Sequence, residues 1–201
     1  NQCCHMCENE LKDQSFLDTQ KLTFEKKKSS RSNLTDEKAI EQHGPTLNSR
    51  RIKKVKKMHE LDPEVKKAVK SMGNLEIDQE YMRESFYSYP ELGPFKIGDV
   101  TYLGQFKNGK RHGMGKMIKM NGSLYEGFFL EDHCNLMGRF VEGNGNVYIG
   151  EIFNGEAHGK GILSRKDGSS YEGEWKMGIR EGKGKETWPD GSFYEGNFKR
   201  S

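Results

Sequence analysis

Tyrosines recur every 23 residues through the second half of the chain. They stand at Tyr102, Tyr125, Tyr148, Tyr171 and Tyr194, with no slip in phase between them. A glycine follows each tyrosine by two positions, and in four of the five copies an aromatic residue follows that glycine by two more. Alternate residues of a β-strand point to the same face, so these three positions share one side of a strand. A fixed period of this length indicates a repeat architecture.

Turn signals divide each repeat into two strands. Asn108-Gly109 lies inside the first unit and Asn121-Gly122 joins it to the second, and later units repeat the arrangement. Asn-Gly and Asp-Gly supply the positive φ angles that tight hairpin turns require. A Gly-x-Gly pair such as Gly113 and Gly115 opens the second strand. A glycine weakens a strand, so we expect the glycine between the two rings of each unit, such as Gly104 between Tyr102 and Phe106, to leave room for a ring from a neighbouring strand.

Hairpins placed side by side form one antiparallel sheet. The sequence therefore predicts an all-β repeat array, an elongated and twisted single-layer sheet of 23-residue hairpins over residues 98–201. The composition agrees with so thin a structure, because 32% of the residues are hydrophobic and 31% are charged. The 11 Phe, 8 Tyr and 2 Trp are too many for a chain that stays unfolded in water.

The repeated pattern Tyr-x-Gly-x-(Phe/Trp)-x-x-Gly-x-x-x-Gly-x-Gly resembles the MORN repeat (membrane occupation and recognition nexus), over about half of the chain. The resemblance implies an array that binds or scaffolds rather than an enzyme, and it implies no cofactor or metal. We expect partners to bind the face that carries the rings. The rings concerned are Tyr102, Phe106, Tyr125, Phe129, Tyr148, Phe153, Tyr171, Trp175, Trp188, Tyr194 and Phe198.

Two units depart from the pattern. The second has Asp132 and Leu136 where the pattern has glycines, so we expect its turn to be longer or distorted. The fifth supplies one strand, with Tyr194, Gly196 and Phe198. An uncovered strand edge is a template for pairing, so we expect a partner polypeptide or a second copy of this chain to cover residues 194–198.

The first hundred residues divide into three segments. Residues 1–49 are polar and aperiodic, which predicts an extended or disordered arm. Residues 50–73 combine a basic stretch with the helix start Asp62-Pro63-Glu64 and the helix stop Gly73, and they predict two short helices meeting near Pro63. Residues 74–97 are rich in rings, interrupted by Pro90 and Pro94, and we expect them to cap the first hairpins.

The basic stretch and the N-terminal cysteines are candidate sites outside the repeats. The stretch, which suits acidic lipid, nucleic acid, an acidic protein such as tubulin, or simply water, comprises Arg50, Arg51, Lys53, Lys54, Lys56 and Lys57. Cys3, Cys4 and Cys7 crowd together too tightly to wrap one zinc ion, and they are candidates for acylation if they have a function.

Two functions survive these observations. No phosphate-binding loop or dinucleotide motif occurs in a suitable context, and a net charge of +3 from 33 basic and 30 acidic residues does not favour a nucleic-acid partner. The favoured hypothesis is a scaffold within a large cytoplasmic, cytoskeletal assembly, since arrays resembling this one occur in ciliary radial spoke heads and cortical complexes. The alternative is a peripheral membrane protein that binds anionic phospholipid, aided by acylated cysteines.

Overall fold

Each complete 23-residue unit folds into a β-hairpin, and consecutive hairpins add to one sheet. The computed structural model describes Gly44 and residues 52–54, 56–58, 60–75 and 89–200. Its 11 strands form one antiparallel sheet in sequence order, which confirms the all-β repeat array. The elements are β1 (Ile52–Lys54), α1 (Pro63–Met72), β2 (Glu91–Ile97), β3 (Val100–Lys107), β4 (Lys110–Lys119), β5 (Leu124–Leu130), β6 (His133–Val141), β7 (Val147–Phe153), β8 (Glu156–Ser164), β9 (Ser170–Lys176), β10 (Ile179–Thr187) and β11 (Phe193–Phe198).

The turn inside the second unit has the same length and conformation as the others. Glu131 and Asp132 have φ of 50° and 75°, against 51° and 81° at Asn108 and Gly109. The expectation of a longer or distorted turn is therefore wrong. Aspartate tolerates the left-handed region better than most residues, and Asp132 Oδ1 accepts hydrogen bonds from Arg111 N at 2.9 Å and Arg111 Nε at 3.1 Å.

A bulge with positive φ recurs in the second strand of the units. At Gly113, φ is 73°, and Gln105 Oε1 accepts a hydrogen bond from the next amide, Met114 N, at 2.7 Å. Glu151 and Glu174 accept equivalent bonds from Lys160 N and Lys183 N, both at 2.9 Å. The second unit has Leu136 at this position with φ of 61°, and Asn135 Oδ1 accepts from its amide instead.

Each repeat tyrosine lies across a pair of glycines on adjacent strands. Gly104 of β3 faces Gly115 of β4, and a Cβ added to either would lie 2.5 Å from Tyr102 Oη. The Tyr102 hydroxyl donates to Gln105 O at 2.9 Å, and the next three repeat tyrosines do the same to the carbonyl three residues on. The ring over Gly104 thus belongs to its own strand, so the expectation of a ring from a neighbouring strand at this glycine is wrong. The same Tyr102 ring also covers Gly115 of the adjacent strand β4.

The rings pack edge to face along the sheet and cross from unit to unit. Tyr102 lies 5.1 Å from Phe106 of its own strand and 4.9 Å from Phe129 of the next unit. Tyr171 and Phe198 repeat the second contact at 4.9 Å. We call this side of the sheet the ring face. Because its aromatic pairs bridge units, the hydrophobic core is continuous along the array.

Of the two short helices predicted for residues 50–73, the structure has the second and not the first. Helix α1 starts at Pro63 and is capped at its N-terminus by Asp62, whose side chain accepts a hydrogen bond from Glu64 N at 2.8 Å. Gly73 caps its C-terminus. The first predicted helix is wrong, because Ile52–Lys54 form edge strand β1, antiparallel to β2. Apolar residues three apart suit a helix locally, but here a strand distant in sequence offers backbone partners.

Part of the ring-rich segment joins the sheet. Strand β2 pairs with β3, and Phe95 is buried against Phe106 with ring centroids 5.4 Å apart. The remainder of that segment, from 76 to 88, lies outside the described residues, as do Arg50, Arg51, Cys3, Cys4, Cys7 and all of the 1–49 arm except Gly44.

Candidate functional site: a trough on the back face

Most of the rings expected to bind partners form the core instead. Tyr102, Phe106, Tyr125 and Phe129 are at most 1% exposed, and Tyr148, Tyr171 and Trp175 at most 4%. Seven of the eleven rings therefore cannot contact a partner without opening the sheet, and this expectation is corrected for them. Phe153 and Phe198 are partly buried. Trp188 and Tyr194 are 41% and 47% exposed and remain available.

The opposite side of the sheet, the back face, carries helix α1. Ile118, Leu124, Val141 and Val147 each neighbour a core position of the ring face along their strands, so they point the other way. They cluster with Val65 of α1, which is fully buried. Helix α1 thus covers the back face over β4 to β7 and gives this thin sheet a second, smaller core.

Buried charges fix the C-terminal end of α1. Arg139 is 2% exposed, pairs with the Glu126 carboxylate, and donates from Nη1 to Gly73 O at 3.0 Å. Lys116 Nζ lies 2.6 Å from the other carboxylate oxygen. Burial raises the pKa of Glu126, but the hydrogen bonds from Lys116 and Arg139 outweigh it and hold that pKa below its usual value.

Beyond α1, the back face from β6 to β11 forms an open trough of about 880 Å³. Its apolar lining consists of Met137, Ile149 and Ile162, and Ile162 is 43% exposed. Ile149 also packs against the α1 cluster. The trough therefore continues the surface on which the helix of this chain already docks.

The charged lining of the trough is balanced. It has three lysines and three glutamates, namely Lys160, Lys183, Lys185, Glu172, Glu174 and Glu195. The sequence analysis did not identify this trough, because it placed the partner-binding surface on the face that carries the rings. The signal lay in the alternate positions of the same strands, which share a face and recur with the same 23-residue period.

The other sequence candidates are not part of the trough. Lys53 and Lys54 lie in edge strand β1, and Lys56 and Lys57 are exposed. Among the residues that the structure describes, no group of three potential ligands could hold a metal ion, and no helix is both long and apolar enough to span a bilayer.

Comparison with known families agrees with the hairpin geometry. Residues 102–124, 148–170 and 171–193 match the family model described as the MORN repeat. Each match starts at a repeat tyrosine and covers one hairpin. Residues 125–147, between the first two matches, fold in the same way. No curated protein matches the chain. The chain therefore contains MORN repeats, and they form hairpins of this sheet.

Proposed function

We propose that this MORN array is a non-enzymatic scaffold of a cytoskeletal assembly, with the ciliary axoneme as its setting, and that it binds a partner polypeptide in the back-face trough. The observation that carries the proposal is the trough itself, an open surface with exposed Ile162 beside a face where α1 already packs. Apolar floors with polar rims are typical of protein-binding sites.

The charge of the trough favours protein over membrane. A surface that binds anionic lipid gains about 1 kcal/mol for each basic residue near the bilayer, and acidic residues oppose it. Here three glutamates accompany the three lysines, so the lining has no net charge. A polypeptide can satisfy both signs at once, whereas an anionic bilayer cannot.

The test compares two exposed apolar residues. Ile162→Glu places a charge on the floor of the trough, whereas Met120→Glu places it at a turn where Met120 is 65% exposed. In detergent-extracted ciliated cells we expect wild type and Met120→Glu in the cytoskeletal fraction and Ile162→Glu in the soluble fraction. Circular dichroism of the purified variants checks that both fold.

The membrane alternative predicts instead that wild type is absent from the cytoskeletal fraction. In that case the wild-type chain would float with phosphatidylserine-containing liposomes, and the detergent would release it from cells. Retention of Ile162→Glu in the cytoskeletal fraction would contradict a role for the trough.

A further inference from the structure

The four Asn-Gly turns of the chain are held in different ways. Asparagine is chemically labile, most of all before glycine, whose backbone nitrogen is unhindered and can attack the asparagine side chain. The asparagines of these turns are all exposed, and they are Asn108, Asn121, Asn144 and Asn154. Since every one of them reaches water, their relative reactivity depends on the hydrogen bonds around each turn.

The glycine amide is the reacting group, and in three of the turns it is engaged. Gly122 N and Gly145 N each donate at 2.9 Å to the carbonyl three residues back, and Gly155 N donates at 2.8 Å to Cys134 O of the preceding unit. Within the described part of the chain, Gly109 N has no acceptor. A hydrogen-bonded amide reacts only after local opening, so the amide of Gly109 is the most available of the four.

The place of the first unit in the array explains the difference. In later units the amide at this turn position donates to a carbonyl in the second strand of the previous hairpin, as Gly155 does to Cys134 of β6. The corresponding strand for Gly109 is β2, which begins at Glu91 and pairs with β3 only as far as Gln105. The strand therefore stops short of the turn.

The asparagine side chains of the joining turns are restrained as well. Asn121 Oδ1 accepts a hydrogen bond from Ser123 N at 3.1 Å, and Asn144 Oδ1 accepts one from Asn146 N at 2.9 Å. Such bonds fix Cγ, the atom under attack. Among the described residues, no hydrogen bond restrains the Asn108 side chain.

Basic residues flank the first turn. Lys107 and Lys110 lie on either side of it, whereas Asn144 and Asn154 each have a glutamate two positions away. The attacking nitrogen reacts as an anion, which nearby positive charge favours. Lys110 Nζ lies 2.7 Å from Glu131 Oε2, so part of this charge is neutralised and Lys107 contributes the larger share.

We propose that Asn108 is a site of spontaneous deamidation and that it reacts ahead of the other three Asn-Gly turns. The proton of Gly109 N passes to hydroxide, and the nitrogen attacks Asn108 Cγ. The bond between Cγ and Nδ2 breaks, and Nδ2 takes a proton from water and leaves as ammonia. Water then opens the cyclic imide at either carbonyl, which gives aspartate or isoaspartate.

The two products have different effects on the turn. Aspartate keeps the fold, because Glu131 occupies the same position in the second unit with φ of 50°, against 51° at Asn108. Isoaspartate adds a backbone carbon between β3 and β4, which a two-residue turn in this register does not accommodate. Both add a negative charge beside Lys110 and so compete with Glu131 for it, which weakens the contact between the first two turns.

The experiment follows all four sites in the same full chain, so that three of them serve as internal controls. The purified protein is incubated at neutral pH, cleaved after glutamate and analysed by tandem mass spectrometry, which locates each conversion. In the folded chain we expect Asn108 to convert at least about fivefold faster than each of the others, equivalent to one hydrogen bond of about 1 kcal/mol. In urea the four rates should agree within about twofold, because no turn is then held.

Two further measurements separate the fold from the local sequence. Amide hydrogen exchange followed by NMR should be faster at Gly109 than at Gly122, Gly145 and Gly155. The variant Asn108→Asp, which carries one of the two products from the start, should keep the circular dichroism of wild type and leave the other three conversion rates unchanged.

Several results would overturn this assignment. They are equal rates at the four turns of the folded chain, a faster conversion at any turn other than Asn108, and slow hydrogen exchange at Gly109. The same ranking of rates in urea would also overturn it, because neighbouring residues in the sequence rather than the missing hydrogen bond would then set the rates.

Discussion

Adding one methyl group at Gly115 should disrupt the contact that defines the repeat. A Cβ at this position would lie 2.5 Å from Tyr102 Oη and 2.6 Å from Tyr102 Cε2. The ring cannot swing aside, because Tyr102 is fully buried and contacts Phe106 and Phe129. Gly143→Ala is the matched control, since the nearest atom to its added Cβ is 3.5 Å away and its φ is not positive.

The magnitude for Gly115→Ala follows from three effects. Overpacking a core typically costs about 1–3 kcal/mol. Displacing the Tyr102 hydroxyl from Gln105 O removes a hydrogen bond that contributes about 1 kcal/mol. Alanine recovers about 0.5 kcal/mol by restricting the unfolded chain. The free energy of unfolding should therefore fall by about 1.5–3.5 kcal/mol, whereas Gly143→Ala should leave it unchanged or raise it slightly.

Urea unfolding followed by circular dichroism measures both variants, with tyrosine fluorescence as a second probe of the same transition. The two probes must coincide before the free energies are compared, because repeat arrays can unfold in stages. A Gly115→Ala variant within about 0.5 kcal/mol of wild type would refute the view that the glycine pair exists to seat the ring.

Other predictions test the rest of the array. Trp175→Ala should lower the free energy of unfolding by about 3–5 kcal/mol, because the buried indole packs on two tyrosines and donates to a carbonyl; calorimetry measures this. Since the folded pKa of Glu126 is lowered, its stabilisation is complete above the unfolded pKa and is lost as pH falls through the folded pKa. Unfolding of Glu126→Gln should therefore depend less on acidic pH than that of wild type. Asp132→Ala should destabilise the array by about 1–2 kcal/mol, more than Asp132→Asn, because alanine tolerates φ of 75° poorly and loses the Arg111 contact; a thermal melt ranks the two.

The hairpins were predictable because their signals are local and repeated. A tyrosine, a glycine and a ring on alternate positions, followed by Asn-Gly, specify strand and turn within a few residues. Helix α1 was predictable for the same reason, since Asp62, Pro63 and Gly73 mark its ends. None of these features depends on what a distant part of the chain does.

Non-local partners account for most of the errors. Strand β1 forms because the edge of β2 offers it backbone partners, and no residue near β1 in the sequence signals this pairing. The second unit keeps a tight turn because Arg111, 21 residues earlier, binds Asp132. The sequence analysis placed the candidate surface on the rings, although period-two strands have two faces and, within the described residues, the open trough lies on the back face.

The strand order has a mechanical consequence. In an antiparallel sheet the hydrogen bonds run perpendicular to the strands, and here the hairpins follow one another in that direction. Tension between the two ends of the array would therefore peel terminal hairpins off one at a time rather than shear the whole ladder together. Each released unit of 23 residues extends to roughly 78 Å at about 3.4 Å per residue, and it replaces two strands that occupy about 9.6 Å of the folded array, so the molecule lengthens by roughly 70 Å. Such an array would yield in discrete steps under load, as an extensible tether does, while the hairpins still in place keep their fold.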